Sequence, residues 1–355
     1  MLRPQHHLVS RLRQWVCALV FAVLPLHALA QATDPTLLRS TAPDRAAKLI
    51  AAAKAEGSIT LYTSIAEKDL KPLIEPFEKK YGIKVNTWRA SGDSVMNRTI
   101  SETRAKRYNV DVVHAGAVEL EVLSREKMLQ PTASPHFADL MPGSVPAHKE
   151  WAATIYSLWV QAYNTGSVKK TELPTNYADL LNPRWKSRLG YEVENIDWFV
   201  TVVQSMGEAK GLQFFRELAL TNGVSVRKGH TNLTNMVAAG EVPMALTVYN
   251  YMPEQLKKKG APIDSVVIQP AVARANAVGV TRNAQRPAAA ALFMDYLLGE
   301  GQPTYAELEY LPANTKVPSA LRNYKILMVD PVESLDRREK WRKLYDEIII
   351  RGAKS

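Results

Sequence analysis

The chain has 355 residues, 45 of them basic and 35 acidic, for a net charge of +10, and one cysteine. Its basic residues are scattered, with Lys257-Lys258-Lys259 as the one run, and no interleaving of aromatic and basic residues marks a nucleic-acid module. A single thiol, Cys17, excludes an intrachain disulfide and a cysteine metal cage.

In chain order the first element reads as an address. Arg3, Arg11 and Arg13 stand without an acid around the start of an apolar stretch from Trp15 to Leu29, and Ala28-Leu29-Ala30 supplies the small residues a signal peptidase reads. Residues 1–30 are therefore expected to be a cleaved export signal that sends the chain to the periplasm. As a membrane anchor the stretch is too short, at about fifteen residues against the roughly 20 that a span needs, and Pro25 and His27 break it. Cys17 lacks the small residues that precede a lipidated cysteine, so no membrane anchor is expected. Removing the three arginines leaves 42 basic against 35 acidic residues, a charge of +7, in about 325 residues, enough for two domains.

Helices and strands then alternate. Arg45 to Glu56 reads as a helix, with Asp44 placed to cap it and Gly57 placed to end it. Ser58 to Ser64 follows as a strand. Leu70, Leu73, Ile74, Phe77 and Tyr81 fall at helical spacing before Gly82, with Pro76 expected to kink that helix. Lys84 to Arg89 reads as a strand, Asp93 to Arg107 as a helix and Val110 to His114 as a strand. A β-α-β-α-β run predicts a parallel sheet covered by helices, with ligands outside the carboxyl ends of its strands.

That rule nominates three turns for one rim: Thr63-Ser64, Arg89 to Gly92, and His114-Ala115-Gly116. Two of them run into helix starts, where unpaired N–H groups favour an anionic partner. Capping alone is the competing account of Ser64, Ser91 and Asp93. Arg89, a charge at a strand's carboxyl end, points into a cleft or pairs locally. In the middle of the chain Tyr191 and Glu192 follow a strand from Arg188, and Asn195, Asp197 and Trp198 precede the apolar helix Phe199 to Met206, with Asp197 a ligand contact or a cap. Acids beside a tryptophan suit a cationic amine such as a polyamine. Thr231, Asn232 and Thr234 precede a helix ending at Gly240, and Tyr249 and Tyr251 follow the strand Pro243 to Val248.

Glu56-Gly57-Ser58-Ile59-Thr60-Leu61-Tyr62-Thr63-Ser64, then Phe77 to Val85 and Val110 to Val113, resemble the amino-terminal lobe of the family 1 extracellular solute-binding proteins, closest to the ferric-iron-binding periplasmic branch. Val237 to Ala245 with Tyr249-Asn250-Tyr251 resembles the second lobe of that branch, and Ala277 to Val280 with Pro287 to Gly299 its return strand and helix. The resemblance implies an α/β periplasmic-binding-protein type II fold, a Venus flytrap of two lobes joined by a hinge with the cleft between them. Residues 31–155 and 270–310 would form lobe 1 and 156–269 lobe 2, with helices over Leu321 to Val329 and Leu335 to Ile350 left without a lobe.

It also implies the substrate-binding component of an ABC importer, partnered by a permease, monomeric, and without enzymatic cofactor. Ferric iron is a hard cation that favours oxygen donors, which makes Tyr249 and Tyr251 the candidate metal ligands. The chain departs from the branch: Asn250 separates the two tyrosines, and Ala66 and Gly116 stand where many relatives have histidine and glutamate. Two cargo classes stay open, ferric iron with an anion such as carbonate held by Arg89, Ser91 and Gly92, or a small organic anion in which the carboxylate or phosphate itself is the ligand. A polyamine-type cation is the third. From a different class, a periplasmic enzyme using His114 in the cleft is the alternative, although no histidine stands in a recognised hydrolase or phosphate-cradling motif.

Overall fold

The computed structural model describes residues 35–352, so the expected export signal and Cys17 lie outside the described residues. The strands are β1 (Ser58–Thr63), β2 (Lys84–Arg89), β3 (Val112–Gly116), β4 (Ala152–Asn164), β5 (Leu189–Glu192), β6 (Ser225–Arg227), β7 (Met244–Tyr249), β8 (Ile263–Val266), β9 (Ala271–Val280), β10 (Leu311–Pro312) and β11 (Ile326–Met328). The α-helices are α1 (Pro35–Arg39), α2 (Arg45–Glu56), α3 (Glu67–Tyr81), α4 (Gly92–Arg104), α5 (Ala117–Arg125), α6 (Ile196–Met206), α7 (Glu208–Thr221), α8 (His230–Ala239), α9 (Tyr251–Lys258), α10 (Pro287–Leu298), α11 (Gln302–Glu307), α12 (Pro331–Asp336) and α13 (Arg338–Tyr345).

The strands form one mixed sheet in the order β2-β1-β3-β9-β4-β7-β5-β6, with β8 and β10 on β4 and β11 on β9. β1 pairs in parallel with β2 and with β3, as the alternating pattern predicts, and β5 pairs in parallel with β6 and β7. Between the two parallel sets run β9 and β4. β9 lies antiparallel to β3 over Asn276–Val280 and to β4 over Val272–Val278. β4 then leaves β9 after Trp159 and pairs with β7 and β8, so one continuous strand carries the chain from the first set to the second.

Local chemistry explains most boundaries. α2 has the bounds its sequence predicts and closes on Gly57 at φ 71°, a left-handed conformation that glycine adopts without a Cβ clash. Asp44 makes no cap bond; its carboxylate pairs with Lys48 one turn on. α3 buries Leu70, Leu73, Ile74, Phe77 and Tyr81 along one stripe and runs through Pro72 and Pro76. β3 starts and ends two residues later than its apolar run predicts, reaching Gly116. Alternation along β3 sends Val113 and Ala115 into the core beneath α4 and α5, and Val112 into the core on the other face.

The carboxyl-terminal reading needs correction. Leu321 to Val329 is a short turn of 3₁₀ helix followed by β11, whose Ile326–Met328 pair in parallel with Ala271–Ala273 of β9. A strand three residues long depends on its partner and has no periodicity of its own to read. The expected helix over Leu335 to Ile350 is present as α12, α13 and a final π-helical turn, Asp346–Arg351. α12 packs on α5 and α13 on α6, so this segment touches both parallel sets. Among the described residues no helix is long and apolar enough to cross a membrane.

Candidate functional site

A cavity of about 310 Å³ opens at the carboxyl ends of the parallel strands. The turn after β1 supplies Ser64, the turn after β2 supplies Arg89, Ser91 and Gly92, and the end of β3 supplies Gly116, with Glu119 one turn into α5. From the second parallel set come Gly229, His230 and Thr231 at the start of α8, and Tyr249 and Tyr251 on either side of the β7–α9 turn. Ser157 of β4 with Arg274 and Asn276 of β9 forms the floor, where Asn276 Nδ2 donates to Ser157 Oγ at 3.3 Å.

On the floor, Arg274 Nη2 donates to both oxygens of Glu119, at 3.0 and 3.3 Å, and the guanidinium shares the cavity lining with Tyr249. Loss of water alone would weaken its charge, but the carboxylates of Glu119 and Asp197 hold Arg274 protonated well beyond the ordinary range. Arg89 donates through Nε to Ile65 O at 3.1 Å, which anchors the side chain at the rim. Ser91 does cap α4, accepting from Ser94 N at 3.3 Å, while Asp93 lies in the first turn and lines the cavity.

The opposite wall is aromatic. Asn250 accepts from Leu158 N and donates to Glu309 O, and this pins the turn so that the rings of Tyr249 and Tyr251 lie nearly parallel, 6.0 Å apart. Tyr310, which no sequence signal singled out, sits 4.2 Å from Tyr251 by ring centroids and donates its hydroxyl to Asp69 at 2.9 Å. Burial pushes Tyr249 up to about 12 against the opposing pull of Arg274, and raises Tyr251 and Tyr310 well above the ordinary phenol value. The His230 ring lies 4.2 Å from that of Tyr249, tilted 34° to it, and is pushed down to about 3, by burial first and Arg274 second. Beneath it Glu192, buried and raised by burial, accepts from Gly229 N and Glu194 N and so fixes the loop that enters α8.

Several nominated residues lie elsewhere. Thr63 is buried and its Oγ1 accepts from Ile65 N, which shapes the turn that presents Ser64. Ala115 is fully buried. His114 is 1% exposed in the sheet, 2.7 Å through Nε2 from Thr154 Oγ1, so it does not line the cavity, and the alternative of an enzyme with His114 in its cleft loses its geometry. Asn195 is buried, accepting from Trp159 Nε1 and donating to Thr247 O. Trp198 packs among Tyr177, Tyr191 and Phe215 in the core. Asp197 caps nothing; it lines an adjoining cavity of about 100 Å³ that shares Asp93, Glu119, Glu194 and Arg274 with the larger one. Asn232 is exposed, donating to Lys228 O, and Thr234 is buried, donating to His230 O. The signal for Arg274 was available: it is the one charged side chain in the otherwise neutral strand Ala271–Val280.

The family described as bacterial extracellular solute-binding protein matches residues 111–329. The chain belongs to this family. Among individual relatives of this solute-binding protein, the Fe(3+)-binding periplasmic protein of Serratia marcescens is 28% identical over 207 residues, 57% of this chain and 60% of that protein. The chain thus spans about three fifths of the length of that relative. Iron-bound HitA from Pseudomonas aeruginosa superposes with a TM-score of 0.71 at 19% identity, covering 81% of this chain and 99% of HitA. The periplasmic binding protein AfuA from Actinobacillus pleuropneumoniae, with fructose-6-phosphate bound, also reaches 0.71, at 21% identity over 83% of this chain and 99% of AfuA. These likenesses establish the two-lobed α/β fold of periplasmic binding proteins for this solute-binding protein.

Proposed function

We propose that the chain is the exported, periplasmic capture component of an ABC importer, and that it closes two lobes around a small cargo carrying an anionic group. Lobe 1 comprises residues 31–155 and 270–310 and lobe 2 residues 156–269, with the segment after 310 lying against both. The supporting observation is the Arg274 guanidinium on the cavity floor, next to the strand that passes between the lobes, bonded to Glu119 and lining the same cavity as His230 and Tyr249. A planar guanidinium matches the paired oxygens of a carboxylate, phosphate or phosphonate. Arg89 and the amino termini of α4 and α8 add to the same field. Cargo that touches both lobes stabilises the closed form only by binding it better than the open one, and the permease reads that difference.

Ferric iron with an anion is the second reading, favoured by the near-parallel Tyr249 and Tyr251 rings and by the name of the Serratia relative. Phenolate ligation there would have to overcome the raised phenol values by exchanging protons for the metal charge. Native mass spectrometry of protein purified from its own host reports the bound mass directly. Ferric citrate should leave the protein colourless while a phosphorylated or carboxylated compound stabilises it thermally, an effect lost in Arg274→Ala and weakened in Arg89→Ala. A charge-transfer colour that vanishes in Tyr251→Phe would replace this reading with the iron one.

A further inference from the structure

The Glu119 carboxylate sits at the start of α4: a Cβ placed on Gly92, the first residue of that helix, would lie 2.8 Å from its Oε1. It also sits against Arg274. An anion held between a helix amino terminus and a guanidinium is what a captured phosphate or carboxylate would be. Here the chain's own carboxylate stands beside both, bonded to Arg274 and packed against Gly92. A Cβ at Gly116 would overlap both the Arg274 guanidinium and the Glu119 carboxylate, so the pair can occupy this place only because residue 116 has no side chain.

We propose that Glu119 is a resident stand-in for the cargo's anionic group, held in the seat formed by Gly92, Gly116 and Arg274, and that the cargo is a tetrahedral dianion, a phosphate ester or phosphonate, able to displace it. The inference rests on the anion reading of the cavity. A monocarboxylate would exchange like for like with Glu119 and gain little, whereas a dianion brings a second charge and a third oxygen for the same donors. The displaced carboxylate has somewhere to go: the adjoining cavity of about 100 Å³, which Glu119 also lines, sets Arg338 and Arg342 against Asp93, Glu194 and Asp197. Glu119 thereby sets a threshold that weakly charged solutes do not pass.

The test is titration of the mature protein with inorganic phosphate, fructose 6-phosphate and acetate, followed by calorimetry and thermal shift. Glu119→Gln keeps the shape and removes the competing charge. It should tighten phosphate about tenfold and make acetate, silent on the wild type, measurable. Gly116→Ala should weaken phosphate more than tenfold with an unchanged far-ultraviolet circular dichroism spectrum. A merely structural Glu119 predicts the opposite sign, so weaker or unchanged phosphate binding in Glu119→Gln overturns the proposal, as does indifference of both wild type and Glu119→Gln to all three probes. In that last case a ligand mass found on protein from its own host would still uphold the capture function, so the two failures are distinguishable.

Discussion

The cavity has two unlike walls. Around the floor and the first parallel set, charge is set out in fixed places: Arg89 at the rim, Arg274 and Glu119 below, and the starts of α4 and α5 beside them. Across from it stand Tyr249, Tyr251, Tyr310 and His230, all kept neutral by burial. The contrast separates two tasks. The charged wall can select cargo by its ionic group, and the neutral wall can select by shape and by hydroxyl hydrogen bonds without charge cost. A metal ion would invert that division, because its ligands would have to come from the neutral wall.

Removing the charge from the first wall should have the largest effect. Arg274→Ala is expected to weaken an anionic cargo about a hundredfold, roughly 2.7 kcal/mol, measured by calorimetry. It also leaves Glu119, whose side chain is 14% exposed, without its partner, so the unliganded variant should melt a few degrees lower. An Arg274→Ala protein that binds its native cargo as tightly as wild type would show that the charged wall is not the selective one.

Acid should disturb the fold before it disturbs the walls' division of labour. His114 is pushed down to about 4 and His230 to about 3 by burial, so both stay neutral in the fold at pH 5. An unfolded histidine takes up its proton below about pH 6.5, so this stability is complete above 6.5 and is lost as pH falls. The loss is about 2 kcal/mol for each histidine at pH 5. Glu192 and Asp197, raised by burial, titrate with the opposite sign and offset part of it. The urea midpoint should therefore drop between pH 7 and pH 5, and His114→Gln should flatten that slope by about 2 kcal/mol without altering cargo affinity at pH 7. An unchanged slope would mean that His114 is protonated in the folded protein.

The two walls were not equally legible in the sequence. Strand-end turns could be placed from local signals, because helix stripes, Gly57 and Gly82 bound each element by its own chemistry, and Ser64, Arg89, Ser91 and Gly92 followed from the rule for parallel sheets. Tyr249 and Tyr251 were placed in the same way, after an apolar strand. Long-range pairing hides most of the rest. The apolar run of β3 stops at His114 and places His114 and Ala115 on the rim, whereas pairing with β9, 160 residues away in the chain, carries the strand on to Gly116. Arg274 and Tyr310 come from segments whose pairing is wholly long-range: β9 ahead of its legible stretch Ala277–Val280, and the turn before β10, which has no pattern of its own. Trp198, beside acids in sequence, faces away from them because a helix turns its successive side chains through about 100°.

The smallest expected effect is also the one that most cleanly divides the two cargo readings. Tyr251→Phe removes one hydroxyl from the neutral wall and leaves the ring contact with Tyr310 intact. For an anionic organic cargo it should cost no more than one neutral hydrogen bond, about threefold in affinity, with little dependence on pH between 7 and 9. For a ferric cargo the same hydroxyl is a ligand that must lose its proton, and affinity should collapse in the variant and climb steeply with pH in the wild type. The titration therefore weighs a hydroxyl as donor against the same oxygen as phenolate, and only the second can make the neutral wall the stronger of the two.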